Sequence, residues 1–133
     1  LQEFENMLQV LWIGLGGFIG AIMRFFISGG VQQLLRNSTF PFGTLTVNLL
    51  GSLIFGGLTV LADQSSLFSA DSKAFLFIGF LGAFTTFSTF GNDSYALLDG
   101  GDNWFALLNI GFHIFLGVGA IWLGRFLGKT MFG

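Results

Sequence analysis

The chain is 133 residues long, 53% hydrophobic and 9% charged, where an ordinary soluble domain carries about 25% charged residues. A water-soluble fold would have too little polar surface to cover itself, so the composition moves the reading to a membrane protein. With no cysteine and a single histidine, His113, disulfides, thiolate metal sites and multi-imidazole zinc sites are excluded, and a net charge of −2 gives no reason to expect nucleic acid as a partner.

Apolar runs long enough to cross a bilayer, roughly 20 residues for a core of about 30 Å, divide the chain into four predicted spans. Residues 1–6 are short and polar, and without a basic n-region they do not read as a signal peptide. The first span covers about 7–28. Gly16 and Gly20 form a G-x-x-x-G pair, the spacing that brings one helix face close to a neighbour. Arg24 lies near the far end of this span, where it either snorkels to the interface or braces a polar entrance.

Pro41 opens the second span, about 42–62, because its missing N–H would be unpaired in a first turn anyway. Asn48 lies about a third of the way in and must find a partner or face water. Two readings stay open for it, an interhelical hydrogen bond and a pore-lining donor. The connection that follows is rich in Ser and Asp and aqueous, with Ser72 as the expected cap of the third span.

The third span, about 73–98, contains Gly79-Phe80-Leu81-Gly82-Ala83-Phe84-Thr85-Thr86-Phe87-Ser88-Thr89-Phe90. Four hydroxyls crowded behind two glycines point to a helix broken near the membrane centre, in preference to a continuous helix whose Ser and Thr bond back to their own backbone. Non-helical backbone at that depth survives only when buried in protein or lining a cavity. Phe87 and Phe90 share one helical face and Thr86 and Thr89 a neighbouring one. A phenylalanine ring is negative on its face and positive at its edge, so such edges offer a weakly positive surface to an anion.

The fourth span, about 104–127, carries Asn109 and His113 four residues apart on one face, with Trp104 and Trp122 near its ends as interfacial anchors. With four spans, Lys73, Arg125 and Lys129 fall on one side of the membrane and Arg24 and Arg36 on the other. So small a bias gives little instruction about orientation. A chain that inserts both ways can assemble as an antiparallel, dual-topology homodimer, the oligomeric version of an inverted repeat.

Three stretches taken in order, Gly20-Ala21-Ile22-Met23-Arg24-Phe25, Gly43-Thr44-Leu45-Thr46-Val47-Asn48-Leu49-Leu50-Gly51 and the Gly79–Phe90 run, resemble the Fluc family of small bacterial fluoride channels. The resemblance covers nearly the whole chain. It implies an all-α membrane protein that forms an antiparallel homodimer in the lipid of the cell membrane, with two fluoride pathways. In it Phe87 and Phe90 look like the paired pore phenylalanines and Asn48 like the amide donor. Ser88 and Thr89 belong to a polar track, and Arg24 matches the vestibule arginine. The carbonyls of Gly82 and Thr85 match the positions that hold a structural Na⁺ at the dimer axis. The fourth span departs from the family, which often has a tyrosine and a serine on its polar face; Asn109 and His113 stand there instead.

Neutral donors suit fluoride, because stripping its water is expensive and a buried cation would hold the ion too firmly to let it leave. Asp93, the charge nearest the motif, is expected toward the membrane surface, off the path. No nucleotide-binding loop or catalytic triad is present, so the chain does not read as an enzyme. Two other readings compete with this one. A dual-topology, proton-coupled exporter of organic cations would want a deep carboxylate, which the spans lack. A non-transporting scaffold would use Asn48 and the hydroxyls as packing glue and would tolerate Asn48→Leu.

Overall fold

A computed structural model describes residues 2–64 and 68–132. Among them are helices and no strand. Helix α1 is Gln2–Leu34 and α2 is Phe42–Gln64. Helix α3 spans 70–84, with a π-helical stretch over Ala74–Leu81; α4 is Phe87–Asp99. Helix α5 is Asn103–Phe132, with π-helical turns at Phe112–Leu116. Four stretches are long and apolar enough to cross a membrane: Glu3–Leu34, Phe42–Asp63, Ala70–Asp99 and Asn103–Phe132.

The helix ends differ from the sequence-based boundaries for local reasons. Gly29 and Gly30 do not stop α1, whose last turns carry Gln32 to the start of α2. There Gln32 Oε1 accepts from the Gly43 amide at 3.1 Å and its Nε2 donates to the Phe40 carbonyl at 3.2 Å, pairing one of the amides that a helix N-terminus leaves without a partner. Pro41 sits just outside α2, and its carbonyl takes the Leu45 amide. Ser69, not Ser72, caps α3: its extended backbone and its hydroxyl, which accepts from the Ser72 amide at 3.1 Å, fill the N-cap role.

The second and fourth spans run in the same direction. Asp63 at the end of α2 meets Arg125 late in α5 at 3.9 Å, and Thr39 before α2 donates to Asp102 before α5 at 3.2 Å. With side chains 65% and 42% exposed, the Asp63–Arg125 pair contributes at most about 1 kcal/mol, so packing rather than charge holds α2 against α5.

That packing is built on glycine. Lipid tails are as apolar as leucine, so helices in a membrane gain from close van der Waals fit rather than from escaping water. A Cβ at Gly124 would overlap the Leu53 carbonyl, and one at Gly56 the Ile121 carbonyl. The α1–α3 contact works the same way, with Gly16 against Phe75 and Gly20 against Phe80. Backbones therefore touch along two seams, α1–α3 and α2–α5. Phe84 and Val47 are fully buried between them. The outer faces carry exposed Phe18, Phe25, Phe26, Phe115 and Trp122, which suits hydrocarbon and not water.

These seams give a stability test. Gly124→Ala is expected to cost about 2 kcal/mol through forced separation of two backbones and to lower the melting temperature in detergent. Gly119→Ala, where an added methyl meets nothing within 4 Å, is expected to be neutral or to stabilise slightly through helix propensity.

Candidate functional site

The site forms where α3 stops and α4 begins. Thr85 (φ −86°, ψ 159°) and Thr86 (φ −151°, ψ 116°) are extended between Phe84 and Phe87. Two extended residues in an apolar chain leave main-chain groups that must be paired elsewhere. The Thr86 amide, which would close a turn onto the Gly82 carbonyl if the helix continued, instead donates to Asn48 Oδ1 at 2.7 Å. The Thr86 carbonyl accepts from Asn48 Nδ2 at 3.0 Å. One primary amide thus clasps both main-chain groups of one residue, and only this orientation of the Asn48 side chain pairs donor with acceptor on both sides. The second Nδ2 hydrogen is not needed for the clasp. Gly51 makes room for the arrangement, since a Cβ there would overlap the Thr85 methyl.

The remaining groups at the junction are shared out closely. Thr86 Oγ1 accepts from the Thr89 amide at 3.2 Å, capping α4, and donates to Thr89 Oγ1 at 2.9 Å. Ser88 Oγ lies 3.4 Å from the same hydroxyl. Thr85 Oγ1 bonds back to the Leu81 carbonyl at 2.9 Å. Because the Thr89 amide goes to a side chain, the Thr85 carbonyl is left for another donor, and Arg24 Nη1 reaches it at 3.4 Å. Arg24 is half-buried and lies well before the end of α1, so it ties α1 to the junction rather than running out past the helix end.

A cavity of about 430 Å³ opens beside the junction, lined among others by Asn48, Ser52, Thr86, Phe87, Phe90 and His113. No Asp, Glu, Lys or Arg is among its lining residues. Gly82 and Thr85 also border it. The Phe87 and Phe90 rings lie 5.5 Å apart at 58°, and Phe87 is 83% exposed. His113 lies against Phe90 with ring centres 4.3 Å apart. Ser88 and Thr89 are exposed. Asp93 is half-buried, accepts from Thr44 Oγ1 at 2.6 Å and takes no part in the cavity wall.

Asn109 and His113 share a helix face but part company in their surroundings. Asn109 is 0% exposed and belongs to a buried chain of bonds: its Nδ2 donates to Ser94 Oγ at 2.9 Å, and Ser94 donates to the Phe90 carbonyl at 2.8 Å. That chain fixes where α4 carries Phe90. His113 borders the cavity, with Nδ1 2.9 Å from the Asn109 carbonyl. Sequence reasoning missed Ser52, although it stands one helical turn after Asn48 on the same face, and missed Ser94, whose partner is remote in sequence.

The chain also matches known proteins. The profile of the family described as CrcB-like protein, Camphor Resistance (CrcB), covers residues 11–125. The chain is 42% identical over 132 residues to a protein of Hydrogenovibrio crunogenus named "Fluoride-specific ion channel FluC", spanning 99% of this chain and 98% of that one. It is 45% identical over 124 residues to the protein of the same name from Sulfurovum sp., 93% and 96% of the two chains. It is 42% identical over 119 residues to "Fluoride-specific ion channel FluC 1" of Methanosarcina acetivorans, 90% and 89%. With a profile match over most of its length and relatives this similar from end to end, the chain belongs to the CrcB-like family.

Proposed function

We propose that the chain is a fluoride-selective passive channel that exports fluoride across the cell membrane, working as an antiparallel homodimer with two pores. Its family and its four long apolar helices make it a multi-pass membrane protein, and the relatives named above are fluoride-specific ion channels. The observation that carries the reading is a cavity walled by hydroxyls, an amide and phenylalanine rings, with no formally charged carboxylate, ammonium or guanidinium in its lining. Such groups replace part of an anion's hydration without holding it in a deep well, which is what conduction requires. Asn48 keeps one N–H beyond its clasp, Ser52 and Thr86 bring hydroxyls to the wall while Ser88 and Thr89 stand exposed outside it as the continuing polar track, and Phe87 and Phe90 present positive ring edges. Arg24 stands beside the junction without entering the cavity wall, as a vestibule charge should.

Thr85 and Thr86 are taken as the helix break at membrane depth. Extended backbone there is tolerable because Asn48 pairs it and the cavity borders it. The dimer is supported by the open side of the site. Phe87 is almost bare and Gly82 is exposed, so a second copy packed on this face would complete the wall. The same break supports a sodium site. The junction diverts the helical donors of the Gly82 and Thr85 carbonyls, and neutral carbonyl oxygens suit a hard monovalent cation. A bound Na⁺ would supply a fixed positive charge joining the two breaks at the dimer axis, with the remaining ligands coming from the second copy.

Fluoride and chloride efflux from liposomes containing the purified protein tests the proposal. Fast fluoride loss without chloride loss is expected, and no fluoride loss from a well-folded protein would return the chain to the scaffold reading. Phe87→Ile and Phe90→Ile are expected to cut fluoride flux by roughly fivefold each, since a ring edge is worth on the order of 1 kcal/mol, while the dimer stays intact on size exclusion. Unchanged flux in both variants would remove the ring edges from the mechanism. Asn48→Asp is expected to abolish flux and also to lower stability, because a carboxylate cannot donate to the Thr86 carbonyl. Asn48→Leu, a discriminating change on sequence grounds, is now expected to destabilise the fold under any function, as it strips both partners from Thr86.

A further inference from the structure

We propose that Ser52 is the hydroxyl donor of the fluoride site, forming with the free N–H of Asn48 a two-point, uncharged seat for the ion on one face of α2. The inference rests on the channel reading above and names the atoms that hold the ion within that same cavity.

Among the described residues, the hydroxyls in the cavity wall are those of Ser52, Thr85 and Thr86, and two of them have committed their hydrogens. Thr85 Oγ1 donates to the Leu81 carbonyl at 2.9 Å, and Thr86 Oγ1 donates to Thr89 Oγ1 at 2.9 Å. Ser52 Oγ bonds to no described residue. Unlike Asn109 Oδ1 and His113 Nε2, it is not shut away from a water-sized molecule. A serine that serves only as a small packing residue in a helix bonds back to a carbonyl one turn earlier. Thr59 does so to the Phe55 carbonyl at 2.6 Å, and Ser94 to the Phe90 carbonyl at 2.8 Å. Ser52 makes no such bond to the Asn48 carbonyl, so its hydrogen is open to whatever enters the cavity.

Position supplies the second donor. Ser52 follows Asn48 by four residues on α2, which puts their Cβ atoms about 5–6 Å apart on one helix face. One small ion lying between them is within reach of both side chains. The clasp on the Thr86 carbonyl, at 3.0 Å, uses one Nδ2 hydrogen of Asn48 and leaves the other. The bond from the Thr86 amide to Asn48 Oδ1 at 2.7 Å holds the amide plane fixed, so this donor is in place before an ion arrives. The serine hydroxyl complements it, because it turns about its C–O bond and follows an ion as the ion moves. Neither group is charged, so neither opposes departure. Beyond Ser52 the wall turns apolar, with Phe55, Phe77 and Ile121; no other donor there competes for the ion.

The test is fluoride efflux from liposomes for the wild type, Ser52→Ala, Ser52→Cys and Thr59→Ala, with melting temperatures in detergent measured alongside. Ser52→Ala is expected to cut fluoride flux roughly tenfold, the low end for a hydrogen bond to a charged group. Its melting temperature is expected to be unchanged or higher, because alanine is the better helix former. Ser52→Cys keeps the bulk but offers only a weak S–H donor, and a similar loss is expected. Thr59→Ala removes an α2 hydroxyl already bonded within its own helix and is expected to conduct as the wild type does. Wild-type flux through Ser52→Ala overturns the proposal, and so does wild-type flux through Ser52→Cys, since shape would then suffice. An equal loss in Thr59→Ala overturns it as well, because the effect would not belong to the cavity. A lower melting temperature for Ser52→Ala would reveal a hydroxyl bonded within the protein and overturn it likewise. Absence of fluoride flux through the wild type would overturn the channel reading and this one together, whereas full fluoride flux without the Ser52 hydroxyl overturns this one alone.

Discussion

The structure depends on how two extended residues are kept in an otherwise helical, apolar chain. Thr85 and Thr86 interrupt a helical span, and every interruption exposes amides and carbonyls that hydrocarbon cannot satisfy. Asn48 pairs both groups of Thr86, Arg24 reaches the Thr85 carbonyl, and the Thr86 hydroxyl caps the helix that follows. Helices α1 and α2 are thereby joined to the point where α3 gives way to α4. An unpaired buried main-chain group costs roughly 1–3 kcal/mol, so the junction and the helices around it form together or not at all. The cavity follows from this: the turn of chain that leaves helical geometry also leaves the space beside it.

Much of the architecture is legible in the sequence because it follows from composition. Apolar length gives four spans, and glycine spacing gives close helix contacts, of which Gly16 and Gly20 are an instance. The crowding of Thr85, Thr86, Ser88 and Thr89 marks the place where backbone geometry changes, since short hydroxyl side chains serve caps and turns better than helix interiors. The motif order also points to the family.

What the sequence did not disclose depends on tertiary partners. Nothing in Gly29-Gly30 says that α1 continues past them; the reason is Gln32, whose two bonds lie at the start of the next helix. Ser69 and Ser72 both suit a cap, and only backbone geometry separates them. For Asn48 the sequence does not decide between packing and lining, and its amide has enough hydrogens for the clasp and a ligand at once. Asn109 and His113 are equivalent by helical spacing, but Asn109 is sealed beneath α4 by Ser94 while His113 reaches the cavity. Periodicity assigns residues to a face and does not say how deep each one lies within it.

The two glycine seams also govern how this molecule can move. Where backbones touch without intervening side chains, there are no rotamers to rearrange, and a pair of helices can shift only as one stiff block. The chain holds two such blocks, α1 with α3 and α2 with α5. Contact between them is sparser, and near the cavity it runs through the Asn48–Thr86 hydrogen bonds. Away from the cavity the blocks also meet where Gly43 of α2 lies against the Ser28 carbonyl of α1, so a tilt of one block about that contact would reach the cavity as strain on the Asn48–Thr86 hydrogen bonds.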